Sequence, residues 1–294
     1  MVGASGKIAF LFPGQGGLPQ DGIPRSRIGE RLLDCAEESG LELRELLAEG
    51  DLEALSRTEY AQPTIFIDSL SREEILREKG LLPTAASGHS LGEFAALVCA
   101  GCLDAEKGLK LVIERGRLMA EVEGGMAAIM RLPPEEVVRL CEEEGQVVTV
   151  ANLNGPAQVV ISGTLAALSA AISAAESLGG RAVGLDVSGP FHSPLMARAE
   201  SLFAPRIEAL VFTKPKIQFV SSVSGRKEED PLRLRALMLQ QMTSCVRWTD
   251  VVNSLEQGGV DCAVETGSAG VLIGLGRRIT PGIRFLGYEE AAGG

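Results

Sequence analysis

Residues 84–101 read TAASGHSLGEFAALVCAG, and the order of residue types in that stretch decides the fold. Thr84 to Ser87 suit a short buried strand, Gly88 to Gly92 a sharp turn, and Leu91 to Ala100 an apolar helix. The turn spells Gly88-His89-Ser90-Leu91-Gly92, the G-x-S-x-G pattern. With 35 glycines in the chain, five matching letters mean little alone; a strand entering and a helix leaving make them an elbow. Glycine at each end lets two backbones approach closely, and the turn lifts the Ser90 hydroxyl over the sheet. The next backbone N–H groups are then aimed at a developing oxyanion. The elbow predicts an α/β fold with an α/β-hydrolase-like large domain on a parallel sheet.

Outward from the elbow, short apolar runs closed by Gly or Pro alternate with longer segments at helical period, as parallel strands with crossover helices require. KIAFLFPGQG (7–16) reads as strand then turn, 41–57 and 68–79 as helices, and VDCAVETGSAGVLIGLGRR (260–278) as strand, glycine turn and helix. Asp104 suits the N-cap of a helix running through DAEKGLKLVIERGRLMAEVE to about residue 123. The texture changes at Gly124-Gly125. From there the expected order is strand 126–131, helix 133–144, strand 146–152, strand 157–162, helix 164–178 and strand 181–187. That is the βαββαβ order of a ferredoxin-like unit. The predicted organisation is a catalytic domain made of 1–123 and 192–294, interrupted by a small domain at 124–191. The first six residues and the tail after Tyr288 are expected to be loose ends.

The chain's 294 residues give room for one large domain, or a large and a small one. Hydrophobic residues at 45% and charged residues at 23% exclude disordered and low-complexity classes. The 28 basic against 39 acidic residues leave a net charge of −11, which repels nucleic acid, so no nucleic-acid partner is expected. The apolar run at the start, Ile8 to Phe12, is broken by Pro13 and falls short of a signal peptide. Residues 145–175 carry no charge, yet Asn152, Asn154, Pro156 and Gln158 interrupt them, so they read as core and no membrane partner is expected. Among six cysteines, Cys99 and Cys102 form a C-x-x-C pair inside an apolar run; with no second pair they read as small buried hydrophobes, not as a metal site. A reducing cytoplasm is the expected compartment.

A serine hydroxyl needs a base, usually histidine, and the chain has two. His89 adjoins Ser90 on the same turn and should point away, which leaves His192, in the Gly- and Pro-flanked loop GPFHSPLM (189–196). In the helix from Asp104, the apolar stripe of Leu111, Val112, Leu118, Met119 and Val122 takes in Arg115, which therefore faces inward. A buried guanidinium needs an anion, either an internal Asp or Glu or the carboxylate of a substrate. Spacing leaves both open. If the anion is the substrate's, the site would select acids over uncharged analogues by up to about 10⁴-fold.

FPGQG (12–16), GHSLGE (88–93), RGRLM (115–119), NGPAQVVISG (154–163), GPFHSPLM (189–196) and the glycine turn after Glu265 stand in an order and spacing that resembles the malonyl-CoA:acyl carrier protein transacylases. The resemblance covers nearly the whole chain. It implies a serine acyl-enzyme with Ser90 as nucleophile, His192 as base and Arg115 holding the malonyl carboxylate. It further implies Gln15 and Leu91 as backbone donors of the oxyanion hole, and Gln241 of LQQMTSCVRW as the residue whose carbonyl orients the histidine. Cys245 stands where the family has proline, and VETGSAG where it has E-x-GPG. Asn152 and Asn154 either line the mouth that takes the phosphopantetheine arm or cap turns. Phe191 before His192 matches malonyl rather than methylmalonyl enzymes. No metal or other cofactor is implied, CoA and phosphopantetheine being substrate carriers. The implied partners are malonyl-CoA and acyl carrier protein, an acidic protein that an acidic chain would meet through a local basic surface such as Lys214, Lys216, Arg226 and Lys227. The product would feed fatty-acid synthesis, or a polyketide synthase served by a free-standing acyltransferase. A serine esterase or thioesterase shares the elbow and the histidine; a hydrolase of neutral esters has no use for an inward Arg115. A docking scaffold without chemistry is opposed by Ser90, His192 and Arg115 standing together.

Overall fold

The structure is a computed structural model and describes residues 6–19, 22–143 and 147–293. Among the described residues there are ten strands: β1 (Lys7–Phe12), β2 (Ala85–Gly88), β3 (Gly125–Met130), β4 (Val148–Gly155), β5 (Gln158–Gly163), β6 (Arg181–Gly184), β7 (Gln218–Val220), β8 (Lys227–Glu228), β9 (Val260–Glu265) and β10 (Arg284–Leu286). They form a six-stranded sheet, β10-β9-β1-β2-β7-β8, and a four-stranded sheet, β4-β5-β3-β6. In the first sheet every pair is parallel except β7 with β8; in the second every pair is antiparallel.

Strand β1 shows why the large sheet is buried on both faces. Its side chains alternate: Phe10 and Phe12 join the core that includes Leu32, Ile65, Phe66, Phe94 and Val112. Ala9 and Leu11 join the opposite core around Trp248, Val251, Val252 and Leu272. A continuous apolar strand suits a sheet covered by helices on both sides. The register pairs Phe12 with Gly88, so the turn at residues 13–17 and the elbow at Ser90 emerge side by side at the C-terminal ends of adjacent strands. A third core lies between the small sheet and the helices Pro134–Glu143 and Leu165–Ser177, built from Ile129, Val159, Ile161, Val137, Leu140 and Leu168.

Several expected elements differ in extent. The expected 41–57 helix is two helices, Leu43–Glu49 and Leu52–Ser56, parted where Gly50 turns left-handed (φ 66°) and Asp51 caps the second by accepting from the Ala54 N–H. The expected 68–79 helix begins ten residues earlier, at Thr58, and contains Pro63. Thr64 to Leu70 are buried on every side, and that packing outweighs the lost backbone bond. Asp104 caps its helix, accepting from the Lys107 N–H at 3.0 Å. Strand β4 runs on to Gly155 through two register shifts, so Asn152 and Asn154 lie within a strand, not at a turn. Residue 146 of the expected strand, residue 144 of the expected helix and residues 1–5 of the expected loose end lie outside the described residues. The tail after Tyr288 is not loose: Tyr288–Ala292 form a helix, the Arg72 guanidinium sits 4.6 Å from the Tyr288 ring centre, and Lys79 donates to the Ala292 carbonyl at 2.5 Å. Among the described residues no helix is long and apolar enough to cross a membrane.

Candidate active site

The elbow is held by two close backbone approaches. A Cβ on Gly92 would stand 2.0 Å from the Phe12 carbonyl oxygen, and one on Gly88 2.0 Å from the Gly92 backbone, so neither position accepts a side chain. The His89 N–H donates to the Phe12 carbonyl at 2.9 Å and ties the turn to β1. Ser90 is left at φ 52°, which projects its side chain into a cleft of about 240 Å³. The cleft is also lined by Gln15, Asn152, Asn154, Phe191 and His192.

Ser90 Oγ lies 2.6 Å from His192 Nε2. The other ring nitrogen, Nδ1, faces two carbonyl oxygens, that of Ser244 at 2.9 Å and that of Gln241 at 3.2 Å. Two acceptors fix the proton on Nδ1 and leave the Nε2 lone pair to the serine hydroxyl. Burial, followed by the charge of Arg115 and then by His89, pushes His192 down to about 3, so the imidazole is neutral at ordinary pH. The expected Gln241 carbonyl is therefore one of two orienting oxygens, and the Ser244 carbonyl is the nearer. His89 points elsewhere, its Nε2 2.9 Å from Asn154 Oδ1. Burial lowers the His89 pKa, and as a neutral ring it donates to Asn154 Oδ1 and leaves the Asn154 amide nitrogen for another partner.

Arg115 is 1% exposed and makes no ion pair among the described residues. Its Nε donates to Gln241 Oε1 at 3.2 Å, Nη1 to Gln62 Oε1 at 2.6 Å and Nη2 to Ser90 Oγ at 3.2 Å. All three acceptors are neutral. Of the two anions the sequence left open, an internal carboxylate in contact is absent among the described residues, and one N–H on each terminal nitrogen is left for a planar acceptor. Burial lowers the guanidinium to about 9, opposed by the charge of Glu93, so it remains a cation at neutral pH.

Gln15 is pinned by its side chain, whose Nε2 donates to Thr58 Oγ1 at 2.9 Å. The main-chain N–H groups of Gln15 and Leu91 meet no acceptor among the described residues. Three neighbours were missed by sequence reasoning: Gln62, Ser244 and Glu93. Glu93 alone had a signal, as an acidic residue opening the apolar helix Gly92–Cys99. It is fully buried and accepts from Ser221 Oγ, Ser222 Oγ, the Ser222 N–H and Gln241 Nε2. Lys227, one of the four basic surface candidates, pairs with Glu229 at 2.5 Å.

Residues 30–273 match the family model of the acyl transferase domain. The malonyl CoA-acyl carrier protein transacylase of Bacillus subtilis (strain 168) is 35% identical over 297 residues, covering 97% of this chain and 94% of that one. The FabD structure of Acinetobacter baumannii superposes with a TM-score of 0.91 at 32% identity, covering 99% of this chain and 98% of its own. A malonyl-transacylase solved in complex with a type II PKS acyl-carrier protein superposes with a TM-score of 0.90 at 33% identity, covering 96% and 95%.

Proposed function

The chain belongs to the acyl transferase family, and from that premise we propose that it moves the malonyl group from malonyl-CoA to the phosphopantetheine thiol of acyl carrier protein through a malonyl-Ser90 intermediate. The observation that carries the reading is the Arg115 guanidinium, buried 3.2 Å from Ser90 Oγ with neutral partners on every bonded nitrogen. A cation so placed suits a thioester whose far end is a free acid.

The malonyl carboxylate takes the two remaining N–H groups of Arg115. His192 Nε2 accepts the Ser90 proton as Oγ attacks the thioester carbon, and the oxyanion forms toward the backbone N–H groups of Gln15 and Leu91. Collapse expels CoA as thiolate, which takes up the former Ser90 proton from His192. In the second half-reaction His192 takes the proton of the carrier thiol, sulfur attacks the acyl-serine, and Ser90 leaves with its proton restored. The Ser244 and Gln241 carbonyls hold the imidazole in the required tautomer, where other triads use a carboxylate. Asn152 and Asn154, on the cleft wall, receive the phosphopantetheine amides, and Phe191 leaves little room for a methyl on the acid's α-carbon.

The reaction needs no metal or redox group, since CoA and phosphopantetheine carry the acyl chain. The large sheet is read as an α/β-hydrolase-like catalytic domain formed by 1–123 and 192–294, the small sheet as a ferredoxin-like domain at 124–191, and the compartment as cytoplasm. The product serves fatty-acid or polyketide synthesis. The test is intact mass after separate incubation with malonyl-, methylmalonyl- and acetyl-CoA. A malonyl adduct on Ser90, stable in buffer for minutes and discharged by acyl carrier protein, is the expected result. Rapid hydrolysis without the carrier would make the protein a thioesterase.

A further inference from the structure

The buried cation and the buried carboxylate nearest to it do not touch. The side chain of Gln241 stands between them, with Oε1 3.2 Å from Arg115 Nε and Nε2 3.3 Å from Glu93 Oε2. The same Nε2 donates to the Ser90 carbonyl at 2.9 Å. A primary amide has two distinct ends, and here each end meets its complement: two acceptors at the nitrogen and a donor at the oxygen. Flipped, the amide would set its oxygen against the Glu93 carboxylate and the Ser90 carbonyl, and its NH₂ against the guanidinium.

Glu93 is itself held on its other side. Oε1 accepts from Ser221 Oγ at 2.5 Å and the Ser222 N–H at 3.2 Å, and Oε2 from Ser222 Oγ at 2.6 Å. Ser221 and Ser222 directly follow strand β7, so the carboxylate is braced by the sheet while it rides on the first turn of the helix that leaves the elbow. It makes no ion pair among the described residues. A carboxylate in direct contact with Arg115 would occupy the N–H groups a substrate acid needs; one amide away, it neutralises part of the buried charge and leaves that edge open.

We infer that Glu93 is the positioning residue for acyl-group choice: its carboxylate fixes the Gln241 amide, and the amide fixes the Arg115 guanidinium in the plane that receives the substrate's acid. The inference rests on the malonyl reading of the site. Glu93→Gln keeps shape and volume, yet either placement of the new amide sets an NH₂ against a donor, Gln241 Nε2 on one side or the Ser222 N–H on the other.

The test measures kcat/KM for malonyl and for acetyl transfer to acyl carrier protein, with thermal unfolding as a check on the fold. Glu93→Gln should reduce the preference for malonyl over acetyl at least about tenfold, the size of an ordinary coupling between contacting groups. Acetyl labelling of Ser90 should persist. Equal loss for both acyl groups, the mark of a packing role, overturns the inference, as does an unchanged preference. Should Glu93→Gln fail to unfold cooperatively, Gln241→Leu decides: it retains the main-chain carbonyl at His192 and the serine bonds of Glu93 and cuts the link to Arg115. The same loss of preference is expected there, and an unaltered preference overturns the inference. Absence of any malonyl adduct on the unsubstituted protein would instead defeat the proposed function, before Glu93 is at issue.

Discussion

Ser90 and His192 share a disfavoured left-handed backbone, φ 52° and φ 59°, and their side chains meet at 2.6 Å. Each position carries strain of roughly 1–3 kcal/mol that the surrounding structure must hold in place. The strain is what aims the two groups at one another: Ser90 is lifted from the end of β2, and His192 is turned inward from a loop whose Phe191 and Met196 are anchored in the core.

Removing the hydroxyl proposed as nucleophile should therefore have two thermodynamic outcomes. Ser90→Ala keeps the strained φ, while Ser90→Gly relieves it, since glycine adopts φ near 50° without penalty. Both variants should take no acyl group from malonyl-CoA by intact mass. Ser90→Gly should unfold at higher denaturant than Ser90→Ala, by about 1 kcal/mol. Equal stabilities would mean that the elbow imposes no strain at Ser90.

Arg115→Ala separates acid recognition from acyl chemistry. No carboxylate touches the guanidinium, and Glu93, one amide away, keeps its bonds to Ser221 and Ser222, so the variant should fold, and malonyl transfer should drop by about 10³–10⁴ in kcat/KM, the scale of an unpaired buried polar recognition. Acetyl transfer should hold or rise. Equal losses measured with malonyl- and acetyl-CoA would make Arg115 a structural residue.

His192 resists protonation far below the usual histidine range. Its pKa lies near 3 against an ordinary 6.5, by burial first and then by the charge of Arg115, and protonation would remove the proposed base. Acyl-enzyme formation should therefore persist well below pH 6 and fall only as pH approaches the lowered value. In the proposed complex the malonyl carboxylate would cancel part of the Arg115 charge, so the acid limb of kcat should lie at higher pH than that of kcat/KM for malonyl-CoA, and not for acetyl-CoA. Superimposed limbs for the two substrates would remove the coupling. The same depression makes stability fall as pH drops below about 6.5, where the unfolded chain takes up the proton that the folded site refuses.

How much of this was legible depended on range. The elbow, the Asp104 cap and the βαββαβ order are local patterns, and glycine spacing, a capping side chain and alternation announce them within a few residues. The helix Thr58–Glu78 was half hidden because Thr64 to Leu70 are buried all round, so no apolar stripe marks its first turns. Gln62 and Gln241 reach Arg115 from 53 and 126 residues away, and polar side chains at that distance carry no periodicity. The Ser244 carbonyl at His192 had no signal at all, since every residue bears a carbonyl. The tail shows no such mark because Tyr288 docks on Arg72, a pairing with no local signature.

Glycine at position 92 tests whether closeness or flexibility is the requirement of the elbow. Its φ is outside the left-handed region, so an L-residue could adopt the backbone. The obstacle is space: a Cβ there would lie 2.0 Å from the Phe12 oxygen and 2.7 Å from the Pro13 oxygen, both backbone atoms. Gly92→Ala must push the elbow away from the end of β1, and with it Ser90 from the turn that carries Gln15. A misplacement of about 1 Å costs roughly 10²-fold in rate, and overpacking costs about 1–3 kcal/mol in stability. Gly274, inside the helix Val271–Ile279, has nothing within 4 Å of its missing Cβ and serves as the control. Gly274→Ala should leave malonyl labelling intact and raise stability by roughly 0.5–1 kcal/mol, because alanine loses less backbone entropy in a helix. If Gly92→Ala labelled Ser90 as fast as Gly274→Ala, contact between the elbow and β1 would not be what sets the nucleophile in place.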